Sequence, residues 1–478
     1  MQQGHKRPVV AVIGGGFSGA ALAIHLQTYL PAGVAVRTLV FEPRETLGTG
    51  LAYSTSEPTS RINVPAGRMT VYPDQPEHFT DYLARTDALA SDADAVLENG
   101  NAYPQRSVFG AYVTSEIAPL LSSGTVTHHR SPVVHVEHLP DGWLLQTADG
   151  EEHFADITVI ATSHPPPDIP RSLSHLAGHA KLVADVNAPN AFKNISADDR
   201  VLIVGNGLTA ADAFAALKQR GHKGNVLSVS RRGLRSRGHP STPQEPFGDF
   251  VNPPPRSASQ LLKRVRLAIR EAETAGFSWH GVIDAVRIQG GGIWKALPLA
   301  ERRRIARWVR PFWDVHRFRI APQVERELDK AVASGNLHIE TGALRSATTD
   351  ASGKFQIGIR FRGDAEPSSI EVDAMVITTG PAHGGILSSQ LFLQELAKAG
   401  HLTNCATGLG ILCDEHSRAI DQNGKPVETL LIAGPLARGT FGELMGLPQV
   451  TEHAVFVAQE VAQLLSASAK TEPVTRSA

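Results

Sequence analysis

Val9–Gly19 reads VVAVIGGGFSG, and Val201–Ala211 reads VLIVGNGLTAA. Each is an unbroken apolar run, then a glycine-rich turn, then the start of an apolar helix. The first carries G-x-G-x-x-G at Gly14, Gly16 and Gly19; the second has Gly205 and Gly207, with alanine in third place. Apolar runs without alternation predict strands covered by helices on both faces. The turn lets backbone approach a pyrophosphate, which the helix N–H groups and dipole then hold. One such turn implies a dinucleotide. Two imply that two dinucleotides meet, most often to pass a hydride.

The residues beyond each turn make the copies unequal. After the first, Gly19–Leu30 predicts a short helix bearing Ala20, Ala21, Ile24 and Leu26, and Val36–Phe41 a second strand ending at Glu42. A carboxylate there accepts hydrogen bonds from a free adenosine ribose, which points to FAD. The spacing from Gly14 is longer than usual, as a lengthened turn at Pro31-Ala32-Gly33 explains. After the second, helix Leu208–Gln219 leads to strand Asn225–Ser230 and then Arg231 and Arg232. Guanidinium groups there would clamp a 2′-phosphate, which points to NADPH. The alternative is two ordinary solvated charges at a loop mouth.

The 478 residues allow two to four domains, and the formal net charge of −1 gives nucleic acid or an acidic membrane no field to follow. Two cysteines, Cys405 and Cys413, exclude a disulfide framework and a cysteine-based zinc site. No metal ligand set is legible. The opening MQQGHKRPVV has no signal-like apolar region and no run approaches a membrane span, so a cytoplasmic location is expected.

The segment after the first unit predicts strands at Val133–Val136, Trp143–Thr147 and Glu152–Ile160, with hairpin signals at Asp141-Gly142 and Asp149-Gly150. Prolines from Pro165 to Pro170 suggest a stiff crossing. Helical periodicity begins at Leu261, with Ser257 and Ser259 as caps, and recurs at Ile305, Trp308, Val309 and Phe312 and at Val324, Leu328 and Val332. Strands resume at Leu337–Glu340, Phe355–Phe361 and Ala374–Thr378, and again at Thr429–Gly434. The expected organisation is an FAD-binding part (1–168), an NADP-binding part (169–240), a helical insertion (241–335), returning NADP-domain strands (336–372), a C-terminal FAD-binding part (373–465) and a disordered tail (466–478).

Strands ending ATSHP and TTGPA, together with both turns, resemble the two-dinucleotide-binding-domain flavoproteins: glutathione-reductase-like folds, flavin-containing monooxygenases and N-hydroxylating monooxygenases. A narrower resemblance, nearly chain-wide, rests on GTGLAYSTSEPTSRINVPAGRM (Gly48–Met69), AYPQRSVFGAYV (Ala102–Val113) and GPLARGTFGELMGLPQV (Gly434–Val450). These look like bacterial FAD/NAD(P)-binding proteins, a group similar to enzymes that N-oxygenate aspartate. The resemblance implies an α/β fold of two Rossmann-like domains with a helical insertion in the second. It implies FAD contacts at Gly14, Gly16, Phe17, Ser18, Gly19, Glu42, Asn63, Arg106, Val133 and Gly434. NADP contacts are implied at Gly205, Gly207, Leu208, Thr209, Arg231 and Arg232.

Departures narrow the chemistry. No C-x-x-C is present, which disfavours thiol–disulfide exchange. The F-x-G-x-x-x-H fingerprint of Baeyer–Villiger enzymes is replaced by LAGHAKL (Leu176–Leu182), and the Gly-Asp of reductases by Gly434-Pro435. The leading expectation is an FAD-dependent, NADPH-reduced monooxygenase using molecular oxygen through a C4a-peroxyflavin on a small polar substrate, with amino-acid N-oxygenation implied by the resemblance. The alternatives are an NADPH dehydrogenase reducing a quinone or carrier protein, and a non-catalytic flavin-binding regulatory protein. WDVHRFR (Trp313–Arg319) offers His316, Arg317 and Arg319 to a carboxylate-bearing substrate, or else simply pairs with Asp314 and Glu325. His239 is placed either near the nicotinamide as a proton donor or on a plain loop.

Overall fold

The computed structural model describes residues 7–31, 34–165, 169–380 and 383–471. Ala32 and Gly33 of the lengthened turn, and Pro166 to Asp168 of the proline crossing, lie outside the described residues.

The chain opens with β1 (Val9–Ile13), β2 (Arg37–Phe41) and β3 (Val126–His129), then an antiparallel meander of β4 (Val133–Leu139), β5 (Gly142–Thr147) and β6 (Glu152–Ala155), then β7 (Ile157–Ile160). A second series comes next: β8 (Leu182–Val183), β9 (Val201–Val204), β10 (Val226–Ser230), β11 (Leu337–Thr349), β12 (Phe355–Phe361), β13 (Ser368–Val372) and β14 (Ala374–Ile377). The last two strands are β15 (Arg418–Ile420) and β16 (Pro426–Ile432). They form a six-stranded sheet β15-β16-β7-β1-β2-β3 and a seven-stranded sheet β13-β12-β11-β10-β9-β14-β8. The expected α/β fold with two parallel-sheet units is present.

In the first sheet β1 lies parallel between β2 and β7, Ile13 opposite Phe41 and Ile160. One face packs on helices Phe17–Tyr29 and Gln449–Thr471. The other buries Ala11, Ile13 and Phe41 against Val133, Trp143 and Leu145 of the meander. This two-sided cover is why the strands read as continuous apolar runs. The expected single strand Glu152–Ile160 divides at Asp156. Its N–H reaches Val9 O and its carboxylate accepts from Val9 N at 2.6 Å, so the chain leaves the meander and aligns β7 with β1.

Two boundaries move. Ala374–Ile377, expected in the C-terminal part of the first unit, pairs with β9 and β8 in the second sheet. Its echo of ITVIAT marks the equivalent place in the other unit. The insertion also ends earlier than residue 335. Helix Pro322–Ala333 packs on helix Leu208–Gln219 and on β11, so it is the crossover helix joining β10 to the parallel β11. The insertion proper keeps a core of its own around Phe250, Ala272, Val282 and Ile293. Its first helix is capped by Ser257, which accepts from Gln260 N.

Two residues expected on a core face are exposed instead: Trp308 at 56% and Phe312 at 46%. A π-helical turn over Ile305–Val309 rotates the stripe out of phase. At the C-terminus the last helix runs to Thr471, so residues 466–471 are helical; 472–478 lie outside the described residues. Among the described residues no helix is long and apolar enough to cross a membrane.

Candidate functional site: two nucleotide turns and the cavities between them

Gly14 takes φ +104°, and a Cβ there would stand 2.7 Å from Ala161 O at the end of β7. Its N–H is held by Phe41 O at 2.9 Å. A Cβ at Gly19 would collide with Gly14 O, so the third glycine is what lets helix and turn touch. Gly16 precedes the helix, and Phe17, Ser18 and Gly19 are its buried first residues. No acidic residue occupies that first turn, which leaves the positive end of the dipole open to an anion.

Glu42 is 3% exposed, and both of its oxygens accept hydrogen bonds while Oε2 keeps a free acceptor site. Oε2 accepts from Gly15 N at 3.1 Å, and Oε1 accepts from the Arg44 backbone and guanidinium at 3.1 and 2.9 Å. Gly434, after β16, takes φ +69°; a Cβ there would collide with Ser18 Oγ. Its N–H donates to Nδ1 of the buried His453, whose basicity burial lowers to about 3. His453 belongs to no sequence motif, so nothing in the chain alone singles it out. Val133 is a core residue between sheet and meander.

The second turn repeats the backbone. Gly205 takes φ +126°, with a Cβ position 2.5 Å from Thr378 O after β14, and its N–H bonds Val229 O at 2.8 Å. Asn206 stands where the first turn has Gly15. Its Oδ1 accepts from Ser228 Oγ at 2.6 Å, while its buried Nδ2 has no partner among the described residues. A Cβ at Gly207 would meet nothing within 4 Å. Arg231 and Arg232, both exposed, line an open groove of about 660 Å³ with Arg360 and Arg362, and Arg232 lies over the Phe312 ring at 5.0 Å. The exposed Phe312 is therefore a wall of this cationic groove.

Leu208 and Thr209 line a cavity of about 440 Å³ between the units, together with Asn63 and Arg106. Arg106 ties the units together: Nε donates to Arg61 O at 2.9 Å and NH2 to Asp212 on helix Leu208–Gln219 at 2.7 Å. Burial raises the Asp212 carboxyl above its usual range, against the pull of Arg106.

A second cavity of about 440 Å³ shares Asn63, Val64 and Arg317 with the first. Four arginines face it (Arg68, Arg287, Arg317 and Arg319) against the acids Asp284 and Glu325. His239 lies here, its Nε2 2.9 Å from Asn63 O. A carbonyl only accepts, so Nε2 carries the proton and Nδ1 is left as an acceptor. Burial, with Arg319 adding to it, lowers His239 to about 4, so the ring is neutral near pH 7. That corrects the expected role: its one proton is already given to Asn63, and the free function is acceptance.

Arg319 is corrected likewise. Its fork is filled by Asp284 at 2.8 and 3.2 Å, which leaves the exposed Arg68 as the available cation of this cavity. Arg317 is buried against Glu443 at 2.6 Å, and Trp313 donates to the same carboxylate at 3.1 Å. His316 lines neither cavity; its Nδ1 bonds Phe312 O and its ring stands edge-on to Trp279. Arg317 and Arg319 thus pair with Glu443 and Asp284, not with the Asp314 and Glu325 that the sequence offered. Cys405 and Cys413 are buried and line neither cavity, and burial pushes the Cys413 thiol up to about 12.

Residues 11–165 match a family model described as FAD-NAD(P)-binding. No curated protein sequence matches the chain. Among solved structures, the ornithine hydroxylase PvdA of Pseudomonas aeruginosa is similar at 17% identity over 96% of this chain and 100% of that one, with a TM-score of 0.66. The ornithine N-hydroxylase KtzI of Kutzneria sp. 744 gives 17% identity, 97% and 100% coverage and a TM-score of 0.62. The bacillithiol disulfide reductase of Staphylococcus aureus gives 13%, 98% and 100%, and 0.55. Hydroxylases and a reductase thus share the architecture, and the two glycine turns on two parallel sheets give this chain the fold of the two-dinucleotide-binding-domain flavoproteins.

Proposed function

We propose that the chain is an FAD-dependent oxidoreductase that oxidises NADPH and uses molecular oxygen to N-oxygenate a small, carboxylate-bearing amino-acid substrate. The observation that carries this reading is the pair of adjoining cavities: one touched by both units, the other rimmed by arginine and a neutral histidine. The first turn fits FAD. Gly14, Gly16 and the N–H groups of Phe17, Ser18 and Gly19 would hold its pyrophosphate, Glu42 its adenosine ribose, and Asn63, Arg106 and Gly434 would face its flavin end. The second turn fits NADPH, with Gly205, Gly207, Leu208 and Thr209 at the pyrophosphate and Arg231 and Arg232 at the 2′-phosphate. The orphaned Asn206 Nδ2 supplies a donor there that nothing among the described residues satisfies.

When bound, FAD supplies hydride acceptance from NADPH and the reaction of reduced flavin with oxygen. The chain's part is to bind, orient and exclude water. Arg68 engages a substrate carboxylate, while Arg319, neutralised by Asp284, shapes the wall. His239 Nδ1 accepts a hydrogen bond from the substrate nitrogen. Because this ring is neutral, it receives the substrate as an ammonium without repelling it and holds the N–H of the free amine once a proton has left to water. Both cysteines are buried, and burial pushes the Cys413 thiol up to about 12, which leaves it unsuited to relaying electrons to a disulfide.

The test is NADPH oxidation and oxygen uptake by the purified yellow protein across a panel of amino acids, with mass detection of an N-oxygenated product. Substrate-dependent oxygen uptake with that product supports the reading. NADPH oxidation sustained only by a quinone or a carrier protein overturns it, as does a flavin that NADPH fails to reduce.

A further inference from the structure

We propose that His129, Glu151 and His153 form a binding site for a divalent cation of the zinc class, on the first unit and independent of the oxygenase reading. His129 ends β3, His153 lies on β6, and Glu151 sits in the turn just before β6. One ring nitrogen from each histidine and one Glu151 oxygen lie within 4.8 Å of one another. Glu151 Oε2 is 3.4 Å from His153 Nε2 and 3.9 Å from His129 Nδ1. A tetrahedral zinc ion with bonds of about 2.0–2.2 Å separates its ligand atoms by roughly 3.3–3.6 Å. Both edges that run from Glu151 therefore stand within a few tenths of an ångström of those such an ion requires, and the third lies within 4.8 Å.

Two further observations point the same way. Nε2 of His153, the ring atom that faces Glu151, is buried without a hydrogen-bond partner among the described residues, an expensive arrangement for an imidazole unless something is bound. Their rings are also fixed in advance. The two centroids are 4.2 Å apart, His129 stacks on Phe41 at 5.0 Å, and His153 meets the same ring edge-on at 5.2 Å. Glu151, 65% exposed, is the ligand on the solvent side. Two neutral imidazoles and one carboxylate suit zinc or another late divalent metal over calcium or magnesium. A bound ion would pin the end of β3 to the meander. The backbone of His129 also accepts from Glu42 N at 3.0 Å, so the pin would lie one hydrogen bond from the ribose carboxylate.

The test uses tag-free, FAD-loaded full-length protein, stripped with chelator and titrated with Zn²⁺ by calorimetry. Co²⁺ serves as a spectroscopic probe, read to the red of the flavin bands. The expected results are one Zn²⁺ per chain, a tetrahedral Co²⁺ spectrum, and binding at least ~10-fold weaker in His153→Gln and in His129→Gln. Glu151→Gln, at an exposed position, keeps the fold intact and should also weaken binding. Absence of binding at submillimolar zinc, or equal binding by all three variants and the parent, overturns the site.

Discussion

The two nucleotide turns share a backbone and differ in how that backbone is closed. In both, the first glycine is left-handed and pressed against a carbonyl at the end of the crossover strand, Ala161 O in one and Thr378 O in the other. Beyond that they part. The first turn is packed on every side: Gly19 against Gly14 O, Gly15 against Glu42 and Leu47, Gly434 against Ser18. The second is open at Gly207 and faces an exposed arginine groove. A closed turn suits a cofactor that stays, and an open one suits a cofactor that comes and goes.

Adding one methyl group to each turn challenges this difference most severely. Gly19→Ala should destabilise the protein by about 3 kcal/mol or more and empty the flavin site, because its Cβ has no space. Gly207→Ala should change stability by less than about 1 kcal/mol. Thermal melts and retained 450 nm absorbance check both, and equal damage would show that the turns are equally closed. Next in size, Glu42→Ala leaves Gly15 N and Arg44 N unpaired and should weaken FAD binding about 30-fold, near 2 kcal/mol, read as release of fluorescent flavin. Arg231→Ala should raise the KM for NADPH about 10-fold and leave NADH unchanged. An equal change with both cofactors would remove the 2′-phosphate clamp.

The last comparison is one of pH. His453, beneath Gly434, and His164, after β7, are pulled by burial to about 3 and about 4, His164 also by Arg438 and Arg310. The unfolded chain protonates these rings near pH 6.5, before the folded chain does. Their contribution is therefore intact above that value and is lost as pH falls from 6.5 toward 4, by up to about 1.4 kcal/mol per pH unit for each ring. Flavin should accordingly leave on mild acidification, and His453→Gln should flatten that dependence. A melting temperature constant from pH 7 to pH 5 would contradict it.

Much of this contrast is legible in the chain. The glycines, Glu42, Arg231 and Arg232 are local signals, each a few residues from a strand end. The segment from Ala374 misleads for an instructive reason: its likeness to ITVIAT is real, but likeness alone does not say which sheet a strand joins. Helix Pro322–Ala333 misleads because its apolar period is the same whether it caps an insertion or crosses between β10 and β11. Arg319 looks like a free cation until Asp284, on another helix, fills its fork. His239 looks like a free donor until its Nε2–H is found to donate to Asn63 O.

Residues close together along the chain suffice to establish that two glycine turns of the dinucleotide type exist, that the strands after them end in opposite charges, and that no C-x-x-C pair is encoded. Three outcomes needed the folded molecule: which carbonyl closes each turn, which arginine stays unpaired beside the cavity, and the convergence of two histidines and a glutamate from separate elements on one point. They depend on burial and on partners brought from distant segments, where desolvation and the pairing of charges set what a side chain is free to do.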